Sequence, residues 1–308
     1  MKKTALLFAG QGSQTVGMTR DLCERFESSR EVFARANTLL GRDLQTICFD
    51  GPEDVLTKTD NAQPAIFLAS LACLAALRSA RSGITFDAVA GLSLGEFTAL
   101  TAAEALRFED GLRIVQFRGR CMQEACEATR GGMASVIGLD ETAVAAICRE
   151  TDVDLANLNC PGQVVISGDR EKVARAVELA KTRGARHAVP LVVAGAYHSR
   201  LMAAAQARFA PALTDLPVRT PGVTVVANVT ARPVAAAEIK DLLARQVTSP
   251  VRWSESMQWL IGQGFTRFIE LGSGNVLSGL MKRISREVEM LSVRDCASLE
   301  ATVARLQD

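Results

Sequence analysis

Gly91-Leu92-Ser93-Leu94-Gly95-Glu96 follows an apolar run, Phe86 to Ala90, and leads into an apolar, helix-compatible segment. Gly-x-Ser-x-Gly in that setting is the pattern of a strand, a sharp turn and a helix, with the serine at the turn. The glycines allow the tight turn and a close approach of helix to strand. Ser93 Oγ would stand clear of the sheet, and the Leu94 N–H would face any oxyanion formed there. An ordinary strand–helix turn with a capping serine is the alternative. A serine nucleophile needs a base, nearly always an imidazole, and the chain holds two histidines. His187, in Ala185-Arg186-His187-Ala188-Val189, reads as a solvent-facing strand residue. His198, in Gly195-Ala196-Tyr197-His198-Ser199, falls in a loop at a domain junction, where a base can face a cleft. Its alternative is a helix-start histidine with no catalytic role. Glu96 and Glu270 are fallback candidates for a triad carboxylate, Glu96 otherwise reading as a first-turn helix charge. In α/β-hydrolases the histidine comes late in the order serine, acid, histidine. Here more than a hundred residues follow His198, which argues against a plain esterase of that class.

Strands and helices must position these groups. Thr4–Ala9 reads as a strand, with a small-residue loop at Gly10-Gln11-Gly12-Ser13-Gln14. Helical segments cover Thr19–Leu40, Pro52 starts a short helix, and a long apolar helix opens at Asn61-Ala62-Gln63-Pro64 and runs to Ser79. Phe86–Ala90 is the central strand, and Ala103–Ala128 reads as a helix. This alternation implies a parallel sheet covered by helices. From Gly131 the order becomes β-α-β-β-α-β: strands at Met133–Ile137, Val153–Leu158, Gln163–Ser167 and Ala185–Val189, with helices capped by Asp140 and Asp169. Helices over Ser199–Leu213, Ala235–Gln246, Ser254–Ile261 and Ala297–Leu306 follow, with strands at Val223–Ala227 and Phe265–Leu271 and a further helix ending near Ile284. The expected fold is α/β: a large α/β-hydrolase-like domain with a parallel sheet, residues 1–129 and 196–308, and an inserted small ferredoxin-like (split βαβ) domain, residues 130–195.

The 308 residues suffice for a full-sized core and two domains. A hydrophobic share of 48% and a charged share of 22% are ordinary for a globular protein. A formal net charge of +1 argues against nucleic-acid binding through a strong overall field. Eight cysteines without a Cys-x-x-Cys pair fit reduced intracellular thiols. The apolar stretch after Lys2-Lys3 is too short for a signal peptide. Pro64–Leu77 falls short of a membrane span.

The chain resembles the malonyl-CoA:acyl carrier protein transacylase family along nearly its whole length. The likeness rests on Phe8-Ala9-Gly10-Gln11-Gly12-Ser13-Gln14, Gly91 to Glu96, Gln116-Phe117-Arg118-Gly119-Arg120, and Asn157 to Gly168. Tyr197-His198-Ser199, Gln246 to Trp253, and Ile269-Glu270-Leu271-Gly272-Ser273-Gly274-Asn275 extend it. It implies Ser93 as the acylated nucleophile, His198 as its base, and the backbone carbonyl of Gln246 as the group orienting the imidazole. It further implies an oxyanion hole from the N–H groups of Gln11 and Leu94, and Arg118 gripping the malonyl carboxylate. A guanidinium meets a planar carboxylate with two parallel bonds, which lysine cannot match. The implied substrate is malonyl-CoA, a coenzyme A thioester, and the implied partner is an acyl carrier protein. No metal or redox cofactor is implied. A cytoplasmic monomer, bound to neither nucleic acid nor membrane, is expected.

The family's usual histidine before the serine is Leu92 here, a variant that tilts the reading toward a polyketide role. Ala9 replaces a common proline, and Ser273 and Asn275 replace a proline and a basic residue. An aromatic residue directly before the histidine, here Tyr197, goes with malonyl over methylmalonyl among related acyltransferases, because the ring fills the space of an α-methyl. A single methyl is worth about 1–3 kcal/mol in a pocket. An acyl hydrolase clearing misloaded carriers, an unrelated serine esterase and a non-enzymatic carrier-binding protein are the rival readings. Arg118 argues against the hydrolase, and the intact Ser-His-Arg-Gln set argues against the binding protein.

Overall fold

The computed structural model describes residues 2–306. Its strands, in chain order, are β1 (Lys3–Phe8), β2 (Ala88–Gly91), β3 (Gly131–Ile137), β4 (Asp154–Cys160), β5 (Gln163–Asp169), β6 (His187–Pro190), β7 (Thr224–Val226), β8 (Phe265–Leu271) and β9 (Glu289–Val293). They form a parallel sheet in the order β7-β2-β1-β8-β9 and a separate antiparallel sheet in the order β4-β5-β3-β6.

A strand buried on both faces needs apolar residues at successive positions, and β1 has them from Ala5 to Phe8. Its pleat sends Leu6 and Phe8 into one core and Ala5 and Leu7 into another. Between β1 and β2 run α1 (Arg20–Arg25), α2 (Glu27–Leu40), α3 (Leu44–Asp50), α4 (Glu53–Thr57) and α5 (Thr59–Ala80). The first core holds α5, together with α6 (Gly95–Ala102) and α7 (Phe108–Ala128), which follow β2. In the second core, Trp253, Met257 and Leu260 of α12 (Trp253–Gly262) and Leu277, Leu280 and Met281 of α13 (Val276–Ile284) cover the opposite face. Helices α10 (Ala203–Thr214), α11 (Ile239–Gln246) and α14 (Cys296–Arg305) complete the large layer.

The antiparallel sheet has a core of its own. Ala134, Val136, Val164 and Ile166 pack against α8 (Glu141–Thr151) and α9 (Arg170–Thr182). Asp140 and Asp169 cap these helices as expected, accepting from Ala143 N and from Glu171 and Lys172 N. Met133 and Val165, on the other face, join the large core. A short backbone bridge ties β4 to the segment just before α12: Val251 N–H donates to Ala156 O at 2.8 Å, and Leu158 N–H to Val251 O at 2.9 Å.

Several elements differ from expectation. The helix expected from Ala103 begins at Phe108, because Glu104 adopts φ 62° and the chain turns there. Phe26, in extended conformation, divides the first helical stretch in two. The helix expected over Ser254–Ile261 extends one residue further at each end, Trp253–Gly262. Arg200–Met202 is a 3-10 turn ahead of α10, capped by Ser199. Helix α3 and strand β9 are additional elements. Helix α5 spans 22 residues, longer than the apolar stretch suggested and enough to cross a bilayer, but 83% of its most apolar window is buried in the protein. Pro64 within α5 cannot donate to the Asp60 carbonyl, and Arg42 Nη2 donates to that oxygen instead. Met1, Gln307 and Asp308 of the expected outer segments lie outside the described residues.

Candidate active site

Strand β2 ends at Gly91, and helix α6 starts at Gly95. A Cβ at Gly91 would lie 1.9 Å from the Gly95 carbonyl, and one at Gly95 would lie 2.1 Å from Phe8 O. Only glycine permits this contact of helix with strands. Ser93, between them, is held at φ 54°. His198 sits at φ 56°. A non-glycine residue in the left-handed region stores strain that the surroundings must hold, and such residues gather at functional sites.

The two side chains meet. Ser93 Oγ lies 2.7 Å from His198 Nε2. His198 Nδ1 lies 2.9 Å from Gln246 O and 3.2 Å from Ser249 O. Carbonyl oxygens only accept, so Nδ1 carries the proton and Nε2 presents its lone pair to the Ser93 hydroxyl. Burial, reinforced by the Arg118 charge, pushes the His198 pKa down to about 4. The imidazole is therefore neutral at pH 7.

Arg118 is buried on α7 with 1% exposure. Its guanidinium donates to Ser93 Oγ at 3.1 Å, to Gln246 Oε1 at 2.9 Å and to Gln63 Oε1 at 2.8 Å. It also lies over the Phe97 ring, 5.4 Å from the centroid. Its Nε has no partner among the described residues. Desolvation lowers its pKa to about 10, which leaves it charged. Leu94 is fully buried at the elbow. Neither the Leu94 nor the Gln11 backbone N–H donates a hydrogen bond within the described residues. Gly10 packs against the elbow so closely that a Cβ there would lie 2.4 Å from Leu92 O. Leu92 itself rests on the second core.

Three participants were not legible as such. Asn228, just after β7, accepts from Ser93 N–H at 2.6 Å and donates to Gly91 O at 2.7 Å. Gln63 holds one end of Arg118. Glu96, 2% exposed, accepts from Gln246 Nε2 at 2.6 Å and from Asn228 N–H at 3.2 Å. Burial pushes the Glu96 pKa up to about 7. Glu96 meets the Gln246 side chain, whereas His198 meets the Gln246 carbonyl, so the carboxylate does not form a triad with the histidine. The other fallback, Glu270, accepts from Leu277 N, Ser278 N and Ser278 Oγ and so caps α13.

The remaining expectations fall elsewhere. His187 is exposed on β6. Ser273 Oγ pairs with Thr15 Oγ1 at 3.0 Å, and Asn275 is exposed. The eight cysteines are free thiols. No cluster of metal-ligating side chains occurs among the described residues. A surface hollow of about 760 Å³ is lined by Arg149, Asp152, Asp154, Arg200, Thr248 and Pro250 rather than by Ser93. The hydrogen-bonded pair, not the volume of a hollow, marks the reactive atoms.

A buried hydroxyl on a neutral imidazole, beside a guanidinium and two undonated amides, suits attack on a carbonyl whose acyl chain carries an anion. The family described as acyl transferase domain matches residues 5–303. The chain is 42% identical to the malonyl CoA-acyl carrier protein transacylase of Bacillus subtilis (strain 168), over 100% of this chain and 98% of that protein. The solved transacylase of the same name from Coxiella burnetii superposes with a TM-score of 0.96 at 36% identity, covering 100% of this chain and 98% of that one. A second solved structure, a type II PKS acyl-carrier protein in complex with its malonyl-transacylase, gives 0.95 at 38% identity, covering 98% and 99%.

Proposed function

The chain belongs to the malonyl-CoA:acyl carrier protein transacylase family, and we propose that it moves malonyl from coenzyme A to the phosphopantetheine thiol of an acyl carrier protein through a Ser93 ester. The observation that carries this reading is the 2.7 Å contact of Ser93 Oγ with His198 Nε2, with Arg118 3.1 Å from the same oxygen.

In the first half-reaction His198 Nε2 takes the Ser93 proton as Oγ attacks the thioester carbonyl. The oxyanion faces the N–H groups of Gln11 and Leu94. The carbon–sulfur bond breaks, and the coenzyme A sulfur leaves with the proton from His198. In the second half-reaction the carrier thiol gives its proton to His198 and attacks the Ser93 ester. The ester bond breaks and the proton returns to Oγ, a ping-pong cycle. The Gln246 carbonyl keeps the proton on Nδ1 and so holds the productive tautomer and ring orientation. Arg118 takes the malonyl carboxylate in charge-assisted bonds. The Tyr197 ring disfavours an α-methyl, and Leu92 tilts the partner toward a polyketide carrier. No metal or redox cofactor enters these steps.

The strand order β4-β5-β3-β6 supports reading residues 130–195 as a ferredoxin-like unit inserted in an α/β-hydrolase-like domain, residues 1–129 and 196–308. The working form is a cytoplasmic monomer.

Malonyl-CoA labelled in the acyl group, mixed with enzyme and a phosphopantetheine-bearing carrier, tests the reading. Label on the carrier thiol is expected. Free malonate as the main product would establish the hydrolase instead.

A further inference from the structure

Tyr197 is the only tyrosine in the chain. The family resemblance gives its ring a role in acyl selectivity and its hydroxyl none. That hydroxyl is buried, on a residue 7% exposed. It lies 2.6 Å from Thr59 Oγ1, and Gln11 Nε2 donates to it at 3.2 Å. Gln11 Nε2 also lies 3.5 Å from Thr59 Oγ1. Thr59 is itself fixed: it is fully buried, and its N–H donates to Gln123 Oε1 at 3.0 Å.

Three separate segments therefore meet at one hydroxyl: the loop after β1, the first residue of α5, and the residue before His198. The two hydroxyls are the hydrogen-bond partners of the Gln11 side chain. The rest of its loop is tied internally, Ser13 Oγ donating to Gly10 O and Gly12 N–H to Gln14 Oε1. The Gln11 side chain thus ties this loop to α5 and to the residue before His198.

We propose that the Tyr197 hydroxyl is a positioning group that aims the Gln11 N–H at the reacting carbonyl by anchoring the Gln11 side chain. This rests on the reading of that N–H as an oxyanion donor. The residue then serves two ends separately, its ring shaping the acyl pocket and its hydroxyl setting the rate. Because Tyr197 and His198 are adjacent, the same link holds base and oxyanion donor in a fixed relation. Burial raises the phenol above its ordinary pKa, so it remains a neutral donor and acceptor throughout the working range.

The test is single-turnover acylation of the full chain by malonyl-CoA, followed by intact mass, for wild type, Tyr197→Phe, Gln11→Ala and the double variant. Loss of one neutral hydrogen bond predicts an acylation rate constant about 3- to 10-fold lower in each single variant. The half-saturating malonyl-CoA concentration should stay unchanged, as should the malonyl-to-methylmalonyl preference of Tyr197→Phe, which keeps the ring. The double variant should be no slower than the slower single variant, because both changes cut one link. A merely structural role would shift melting temperature and leave that rate pattern absent. Wild-type acylation by Tyr197→Phe would overturn the proposal, as would a double variant whose loss is the product of the single losses. If Tyr197→Phe folds poorly, Gln11→Ala cuts the same link from a half-exposed position, and an unchanged rate there would overturn it equally. A wild-type protein that forms no Ser93 adduct would overturn the transacylase reading itself, a distinct result.

Discussion

The carboxyl ends of β1, β2 and β7 and the antiparallel unit around β3–β6 differ in what they bury. At the first, Ser93, Glu96, Arg118, His198, Asn228 and Gln246 are each at most 8% exposed and joined by hydrogen bonds. In the second, the core against α8 and α9 is aliphatic, and the charges, such as the Arg183–Glu150 and Lys172–Asp152 pairs, lie at the surface. Burying charge is costly unless every partner is present. Desolvation accordingly pushes the His198 and Arg118 pKa values down and the Glu96 pKa up. Such opposed shifts mark functional sites more often than structural ones. A region built for chemistry should lose activity when cut, and one built as scaffold should lose stability.

The largest loss of activity is expected at Arg118. Arg118→Ala should lower kcat/KM for malonyl-CoA about 10- to 100-fold, by loss of charge-assisted bonds. Acetyl-CoA, which lacks the carboxylate, should be affected far less, and equal losses for both thioesters would remove the carboxylate-clamp role. Next come paired truncations. Ile147→Ala, in the aliphatic core, should cost about 2–5 kcal/mol of stability while acylation per folded molecule stays constant. Asn228→Ala should slow acylation per folded molecule, because it frees both the Ser93 N–H and the Gly91 carbonyl. Denaturant melts alongside active-site titration separate the two outcomes.

The pH profile sharpens the contrast further. With His198 at about 4 rather than the ordinary 6.5, the acidic limb of the acylation rate should fall near pH 4. The folded state binds fewer protons at His198 than the unfolded chain does between those values. Its contribution to stability is present above pH 6.5 and lost as pH falls through 4. Glu96 acts oppositely: raised from 4.5 to about 7, its contribution is present below pH 4.5 and lost as pH rises through 7. A limb near 6.5 in the rate profile would contradict a buried, neutral base. The smallest effect is expected at the scaffold's surface, where Arg183→Ala should change stability by no more than about 0.5 kcal/mol, read from the same melts.

The elbow and the histidine were legible in the sequence for local reasons. An apolar run ending in Gly-x-Ser-x-Gly fits a nucleophile elbow or an ordinary capped strand–helix turn, and with two histidines the base was one of two residues. The β-α-β-β-α-β order was legible because each turn and cap has its own residue signal. Asn228 was not, since it meets Ser93 across 135 residues of chain and ends an otherwise ordinary apolar strand. One signal was available: in a parallel sheet, ligand-binding groups collect at the carboxyl ends of strands, and Gln11, Ser93 and Asn228 follow β1, β2 and β7. Glu96 stands in the first turn of α6, as its position predicts, but spacing alone does not show whether a carboxylate meets an imidazole or an amide. Strand β9, half-buried at the sheet edge, has no two-faced apolar run to announce it.

Every role assigned above depends on acyl transfer passing through Ser93. Intact mass of the protein after mixing with malonyl-CoA alone, beside Ser93→Ala, measures this directly. One malonyl group on the wild type, none on Ser93→Ala, and loss of the adduct when carrier is added are the predicted results. Transfer to carrier by Ser93→Ala at an undiminished rate, or a wild type that turns over with no adduct under any acyl-CoA, would contradict it.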